Sequence, residues 1–133
     1  MGTEAAKISP MPMTNSTPYV LVVEDNLSLR DLYRSVLSAA GRDVIAVEDG
    51  LEALRMVASR RPGAIVLDLV LPGLNGREVY RRLKSSPETS HIPIVIITGG
   101  DMSDLPLDQS ACFVLKKPIT IAQLMAAVET VCA

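Results

Sequence analysis

The sequence predicts an α/β fold, a doubly wound sheet of five parallel strands with helices packed on both faces. Short, continuously apolar runs are typical of strands that are buried on both sides of a parallel sheet. Each run is followed by a polar turn and then by apolar residues at helical spacing, and this alternation favours a parallel sheet. With 133 residues, 48% of them hydrophobic, the chain is long enough for one domain with a real core and too short for two.

The first strand and helix of this pattern begin at Tyr19. Residues 19–23 form a continuously apolar strand that ends in the acidic pair Glu24 and Asp25. A helix of about three turns is predicted next, because apolar residues recur every three or four positions, and Gly41 is placed to end it. Those apolar positions are Leu29, Leu32, Tyr33, Val36, Leu37 and Ala40.

The same alternation of strand and helix continues along the rest of the chain. The further predicted strands cover residues 44–47, 64–68, 92–98 and 113–115, and the further predicted helices cover residues 51–58, 77–84 and 121–131. Pro93 is tolerable only at the entrance of its strand, and Thr120 is a suitable N-cap for the last helix. Pro118 fits either a cis turn or the first residue of that helix.

Two stretches depart from the pattern. Residues 1–17 mix Pro, Ser, Thr, Gly and Met without a period, which predicts a flexible tail ahead of a single domain at residues 18–133. Residues 99–109 hold two Gly, one Pro and three Asp between the fourth and fifth strands. Because these residues disfavour a regular helix, the sequence predicts a shortened or irregular fourth helix there.

Composition and charge exclude several classes of function. Thirteen basic against fifteen acidic residues leave a net charge of −2, which provides no electrostatic footprint for nucleic acid or for a membrane surface. The chain has no apolar run of membrane-spanning length and no signal-peptide pattern at its start. Because two cysteines do not make a disulfide framework, we expect a cytoplasmic protein. From its charge and hydropathy we expect it to contact neither nucleic acid nor a membrane.

Polar side chains stand at the carboxyl ends of four predicted strands. Glu24 and Asp25 follow the first strand, Asp68 ends the third, Thr98 ends the fourth, and Lys117 follows the fifth. In a doubly wound sheet these ends border the crevice where ligands bind. Three carboxylates in one crevice repel one another, and Mg²⁺ between them is the economical explanation. A hydroxyl and an ammonium beside them are what a phosphoryl group on Asp68 would need.

Each of these residues also has an ordinary structural interpretation. Asp68 alone fits a turn-capping residue, and Glu24 with Asp25 fits a favourable charge at a helix N-terminus. Thr98 alone is a common strand residue, and Lys117 alone is a solvated charge at a turn. The occurrence of the whole set at four strand ends favours a functional site.

The chain resembles the receiver domain of response regulators in two-component signalling, and the resemblance covers residues 19 to about 131. The matching motifs are Val22-Val23-Glu24-Asp25-Asn26, Gly50-Leu51-Glu52-Ala53-Leu54, Asp68-Leu69-Val70-Leu71-Pro72-Gly73-Leu74-Asn75-Gly76, Ile96-Ile97-Thr98-Gly99 and Lys117-Pro118. This resemblance implies the flavodoxin-like, or CheY-like, strand order 2-1-3-4-5.

The resemblance implies a role for each residue at the predicted crevice. Asp68 is expected to accept a phosphoryl group from a phosphohistidine on a histidine kinase or a histidine phosphotransferase. Thr98 is expected to hydrogen-bond a phosphoryl oxygen, and Lys117 to pair with it. Lys117 is preferred to Lys116 because the lysine of the family directly precedes the proline.

The resemblance also implies a metal site and a mode of action. Glu24, Asp25 and Asp68, with the backbone carbonyl of Val70, are expected to hold Mg²⁺. The domain is expected to catalyse only its own phosphorylation and dephosphorylation, so it is not an enzyme in the usual sense. Its conformational change is expected to reach an output domain or a downstream protein.

Two departures from the family concern how such a change would be transmitted. Where the family usually carries Tyr or Phe, three residues before the lysine, this chain has Val114, and Phe113 falls on the opposite face of its strand. The irregular segment at 99–109 is the second departure. A β-branched side chain has little χ1 freedom, so we expect that segment, rather than an aromatic switch, to carry the response.

Three other classes of function remain open at this point. A phosphatase of the haloacid-dehalogenase type also uses a strand-end Asp with Mg²⁺, but it requires a second Asp where this chain has Val70. A flavodoxin-like nucleotide binder requires a Gly-rich loop after the first strand, which the sequence lacks. The third is a receiver-shaped adaptor that binds a partner without being phosphorylated.

Overall fold

The computed structural model describes residues 18–100 and 112–132, and these residues form a parallel sheet with helices on both faces. In chain order the elements are β1 (Tyr19–Val23), α1 (Leu27–Ala39), β2 (Asp43–Val47), α2 (Gly50–Ser59), β3 (Ala64–Asp68), α3 (Gly76–Ser85), β4 (Ile94–Thr98), β5 (Cys112–Lys116) and α4 (Ile121–Cys132). Each predicted strand and helix within the described residues is present, with ends that differ by at most two residues.

The five strands lie in the order β2-β1-β3-β4-β5, and every neighbouring pair is parallel. This confirms the order 2-1-3-4-5. Val23 at the end of β1 is in register with Val47 of β2 and with Leu67 of β3. Thr98 at the end of β4 is in register with Lys116 of β5. The carboxyl ends of the strands therefore meet along one edge of the sheet.

Two apolar layers cover the sheet, one on each face. Leu21 of β1 packs in the layer that contains α2 and α3, whereas Val22, the next residue, packs in the layer that contains α1 and α4. The three central strands, β1, β3 and β4, are buried throughout, while the outer strands β2 and β5 are partly exposed. Burial on both faces explains why the central strands read as continuous apolar runs.

The helices begin at polar caps that the sequence supplies. Asn26, Asp49 and Asn75 each accept a hydrogen bond from the backbone N–H three residues later, at the starts of α1, α2 and α3. Thr120 and Gln123 cap α4 reciprocally, each side chain accepting from the other residue's backbone N–H. These caps satisfy donors that a helix leaves unpaired in its first turn, and they confirm Thr120 as an N-cap.

Several expectations fall on residues that are not described. The predicted tail at residues 1–17 lies outside the described ranges, and so does most of the predicted irregular helix, from residue 101 onward.

The Lys117-Pro118 peptide bond is cis, so Pro118 belongs to a cis turn and is not the first residue of α4. Cys112 and Cys132 are not joined in a disulfide bond. Among the described ranges, none of the helices has the length and apolar character needed to cross a membrane.

Candidate functional site

The predicted polar residues come together at the carboxyl edge of the sheet. Glu24 and Asp25 follow β1, and Asp68 is the last residue of β3. Carboxylate oxygens of these three residues lie within 4.8 Å of one another. Thr98 ends β4, and Lys117 follows β5 directly. The structure thus gathers side chains from four strand ends into one acidic crevice.

Asp68 is almost completely buried, with 2% of its surface exposed, and both of its carboxylate oxygens have partners. Oδ2 accepts a hydrogen bond from Nζ of Lys117 at 2.9 Å. Oδ1 accepts from the backbone N–H of Val70, also at 2.9 Å, and closes a short turn after β3. Asp68 therefore caps a turn and faces a cation at the same time, so its two interpretations from sequence are compatible.

A backbone hydrogen bond fixes the position of Lys117 at the end of the sheet. Its N–H donates to the carbonyl oxygen of Thr98 at 2.8 Å, which joins the ends of β4 and β5. Partial burial would lower the pKa of the Lys117 ammonium, but its hydrogen bond to Asp68 and the negative charges of Asp68, Glu24 and Asp25 raise that pKa above its ordinary value. Lys117 therefore stays charged beside the carboxylates.

Of the two acidic residues that follow β1, Glu24 is buried and Asp25 is exposed. The side chain of Glu24 is 2% exposed, which does not fit a simple solvated charge at a helix N-terminus. Oε2 accepts from the backbone N–H of Asn26 at 3.1 Å, whereas Oε1 is buried and has no hydrogen-bond partner among the described residues. Burial raises the pKa of Glu24 to about 7, with a further upward contribution from the charge of Asp68.

This donor set fits a hard divalent cation. Three carboxylates supply oxygen ligands, and a buried carboxylate oxygen without a donor is what a cation would satisfy. Asp25 is exposed, so the crevice is open to water on one side, as a hydrated cation requires. The side chain of Val70 is 71% exposed, and the role of its carbonyl as a further ligand stays a prediction.

Thr98 is 1% exposed and stands at the end of β4 beside the crevice. Its Oγ1 accepts a hydrogen bond from the backbone N–H of Gly100 at 3.0 Å. Because the hydroxyl acts as the acceptor in that bond, its proton is available to a ligand oxygen. The role expected of Thr98 toward a phosphoryl group stays a prediction.

The structure adds four residues to which sequence reasoning gave no place in the site. Asn26 donates its N–H to Glu24, Arg30 contacts the loop after β1, and Gly76 packs against the backbone of Asp68. Tyr33 is buried in α1, and burial together with the charges of Glu24 and Asp68 raises its pKa to about 12. A signal for Arg30 existed in the sequence, since a long side chain one turn into a helix reaches back toward the helix N-terminus.

The order of the sheet and the chemistry of its acidic edge place the protein in the class of signalling receiver domains. A sequence model described as the response regulator receiver domain matches residues 20–129, and the chain belongs to that family. The match covers both layers of the fold and all of the acidic crevice.

Curated relatives agree with this assignment. Response regulator MprA of Mycobacterium ulcerans (strain Agy99) is 40% identical over 110 residues, which are 80% of this chain and 47% of that protein. Response regulator MprA of Mycobacterium sp. (strain KMS) is 38% identical with the same coverage. The chain thus spans about half the length of the curated relatives it matches.

Solved structures share the fold. The chemotaxis response regulator CheY4 of Vibrio cholerae superimposes with a TM-score of 0.75 at 26% identity, over 87% of this chain and 99% of that one. The signal receiver domain of a signal transduction histidine kinase from Syntrophus aciditrophicus gives a TM-score of 0.79 at 24% identity, over 87% and 90% of the two chains.

Proposed function

We propose that this domain takes a phosphoryl group from a phosphohistidine onto Asp68, with Mg²⁺ bound by Glu24, Asp25 and Asp68. The donor is a histidine kinase or a histidine phosphotransferase, and the recipient of the signal is an output domain or a downstream protein. The observation that carries the proposal is the buried Asp68 carboxylate, which pairs with Lys117 at 2.9 Å and lies against two further carboxylates.

The chemistry follows from the positions of these residues. A carboxylate oxygen of Asp68 attacks the phosphorus, the P–N bond breaks, and the leaving imidazole nitrogen keeps the electron pair and is protonated. In this proposal Lys117, whose Nζ donates to Asp68, and Thr98, at the neighbouring strand end, pair with the oxygens of the transferred group and offset its charge. Bound Mg²⁺ would supply further neutralisation of negative charge at the carboxylates and at the phosphoryl group.

This proposal limits the catalytic activity to the domain's own aspartate. Hydrolysis of the acyl phosphate by water returns Asp68 to a carboxylate, so the domain catalyses the formation and the loss of its own modification. A free-standing phosphatase of the haloacid-dehalogenase type would place a general acid two residues after the nucleophile, and that position is the apolar Val70.

Labelling with a small phosphodonor tests the proposal directly. Wild-type protein incubated with acetyl phosphate and Mg²⁺ should gain one phosphoryl group by intact mass, and chelation of the metal should prevent the gain. Asp68→Asn should remain folded and gain none. Asp43→Asn is a matched control because Asp43 starts β2, at the opposite end of the sheet, and should react like the wild type.

Two results would contradict the proposal. One is full phosphate incorporation in Asp68→Asn. The other is a wild type that reacts neither with acetyl phosphate nor with a phosphorylated histidine donor while it binds a partner protein unchanged, which would instead support the adaptor.

A further inference from the structure

Arg30 makes an unusual set of contacts one turn into α1. Its backbone N–H donates to the carbonyl oxygen of Asn26 at 2.8 Å, as the helix requires. Its Nη1 also donates to the carbonyl oxygen of Glu24 at 3.1 Å and to that of Asp25 at 3.4 Å. One residue therefore binds three consecutive carbonyl oxygens of the loop between β1 and α1.

The loop that Arg30 binds carries two of the three carboxylates of the proposed metal site. The carbonyls of Glu24 and Asp25 precede the N-cap Asn26, so they accept no hydrogen bond from the α1 backbone ladder. The guanidinium side chain is 16% exposed, and its hydrogen bonds are charge-assisted. These bonds restrict the backbone at the two residues whose side chains face the crevice.

The alternative explanation for Arg30 is a surface ion pair. Its Nη1 lies 3.9 Å from Oε2 of Glu48, but the Glu48 side chain is 65% exposed. An ion pair of that length and exposure contributes little. Both carbonyl contacts are shorter, and the one with Glu24, at 3.1 Å, is partly buried, so they dominate the environment of the guanidinium group.

We propose that Arg30 is a positioning residue for the metal site, because its guanidinium group fixes the backbone of Glu24 and Asp25 so that both carboxylates point into the crevice. This inference rests on the proposed magnesium site and adds to it a residue outside the ligand set. The backbone N–H of Asn26 already restrains one carboxylate oxygen of Glu24. Arg30 restrains the backbone carbonyl of the same residue.

The direction in which Mg²⁺ affinity changes when the Arg30 guanidinium group is removed distinguishes positioning from simple electrostatics. A cation near the crevice repels Mg²⁺, so removing its charge alone should strengthen metal binding. Removing the hydrogen bonds frees the loop, and the carboxylates must then be ordered at the cost of binding free energy. Arg30→Met should weaken Mg²⁺ binding roughly tenfold, the scale seen when a group behind a metal ligand is removed.

The test is a calorimetric Mg²⁺ titration of wild type and variants, with the metal-free melting temperature of each measured by circular dichroism. Arg34→Met is the matched control, because Arg34 lies one turn further along α1 and pairs with the exposed Asp31 at 3.2 Å. It should bind Mg²⁺ like the wild type. Arg30→Lys retains a cationic donor that reaches toward the same carbonyls, and it should recover part of the lost affinity.

Each outcome decides a separate point. Unchanged or tighter Mg²⁺ binding by Arg30→Met, or an equal loss in Arg34→Met, overturns the inference about Arg30 and leaves the metal site standing. If Arg30→Met does not fold, Arg30→Lys carries the test: displaced amide shifts of residues 24–26 together with weaker Mg²⁺ binding than in the wild type support positioning, whereas unchanged or tighter binding overturns it. A wild type that binds no Mg²⁺ overturns the proposed function itself.

Discussion

Gly76, the first residue of α3, lies directly against the backbone carbonyl of Asp68. A Cβ atom added at Gly76 would overlap that carbonyl oxygen and would come within 2.5 Å of Cα of Leu69. The backbone N–H of Gly76 also donates to the carbonyl oxygen of Leu69 at 3.0 Å, which closes the loop after β3. The absence of a side chain at residue 76 therefore allows α3 to begin beside the phosphoacceptor candidate.

We expect Gly76→Ala to lower the free energy of unfolding by about 1–3 kcal/mol, the range for overpacking of a tight contact. The added methyl group should also displace the backbone of Asp68 and weaken the pairing of Asp68 with Lys117. Urea denaturation measures the first effect, and amide chemical shifts of residues 68–70 report the second. Gly99→Ala is the control, because among the described residues an added Cβ there meets only Cβ of Lys117, at an ordinary 3.8 Å. Equal stability of the two variants would show that the contact at Gly76 relaxes freely.

Mg²⁺ should raise the melting temperature of the wild type, because a ligand that binds only the folded state stabilises it. Asp25→Ala should remain folded, since Asp25 is exposed, and relief of repulsion among the carboxylates should leave it at least as stable as the wild type without metal. The same variant should lose its response to Mg²⁺. A wild-type melting curve that ignores millimolar Mg²⁺ would count decisively against the metal site.

The raised pKa of Glu24 predicts a specific dependence of stability on pH. Burial raises that pKa from 4.5 to about 7, so between these values the folded state keeps a proton that the unfolded state releases. Without metal, the free energy of unfolding should therefore fall as pH rises through this window, by up to roughly 3 kcal/mol. The decrease is complete above about pH 7.

Denaturation of the wild type and of Glu24→Gln at several pH values isolates this contribution. The difference between the two proteins should change with pH between about 4.5 and 7 and stay flat outside that range. Saturating Mg²⁺ should abolish the dependence, because the cation favours the ionised carboxylate. A wild type that gains stability relative to Glu24→Gln as pH rises through the window would reverse the predicted sign and refute the assignment.

Lys117→Ala should slow phosphorylation by acetyl phosphate at least tenfold, because the ammonium that pairs with Asp68 is lost. The same change leaves a buried carboxylate without its cation, and it should lower the free energy of unfolding by roughly 1–3 kcal/mol. Lys116→Ala supplies the comparison, since Lys116 is the exposed last residue of β5. Its phosphorylation rate and stability should match those of the wild type, and a loss equal to that of Lys117→Ala would remove the distinction between the two lysines.

The sequence by itself was sufficient to predict the secondary-structure elements and the edge of the sheet at which the site lies. Continuous apolar runs and helical spacing are local patterns, and they predicted β1 and the other described strands and helices to within two residues. A parallel sheet places all carboxyl ends at one edge, so Glu24, Asp68 and Thr98 could be assigned to a common crevice without coordinates. The strand order came from the resemblance to the receiver family.

Only the tertiary structure decided which atoms meet within that crevice. The resemblance to the receiver family favoured Lys117 over Lys116, but only the structure shows that Nζ of Lys117 donates a hydrogen bond to Asp68, 49 residues away. The burial of Glu24 and the close approach of Gly76 to Asp68 likewise depend on distances between elements. The local spacing of apolar residues indicates which face of a helix or strand a residue occupies. The atomic contacts that the residue makes depend on how the helices and strands pack against one another.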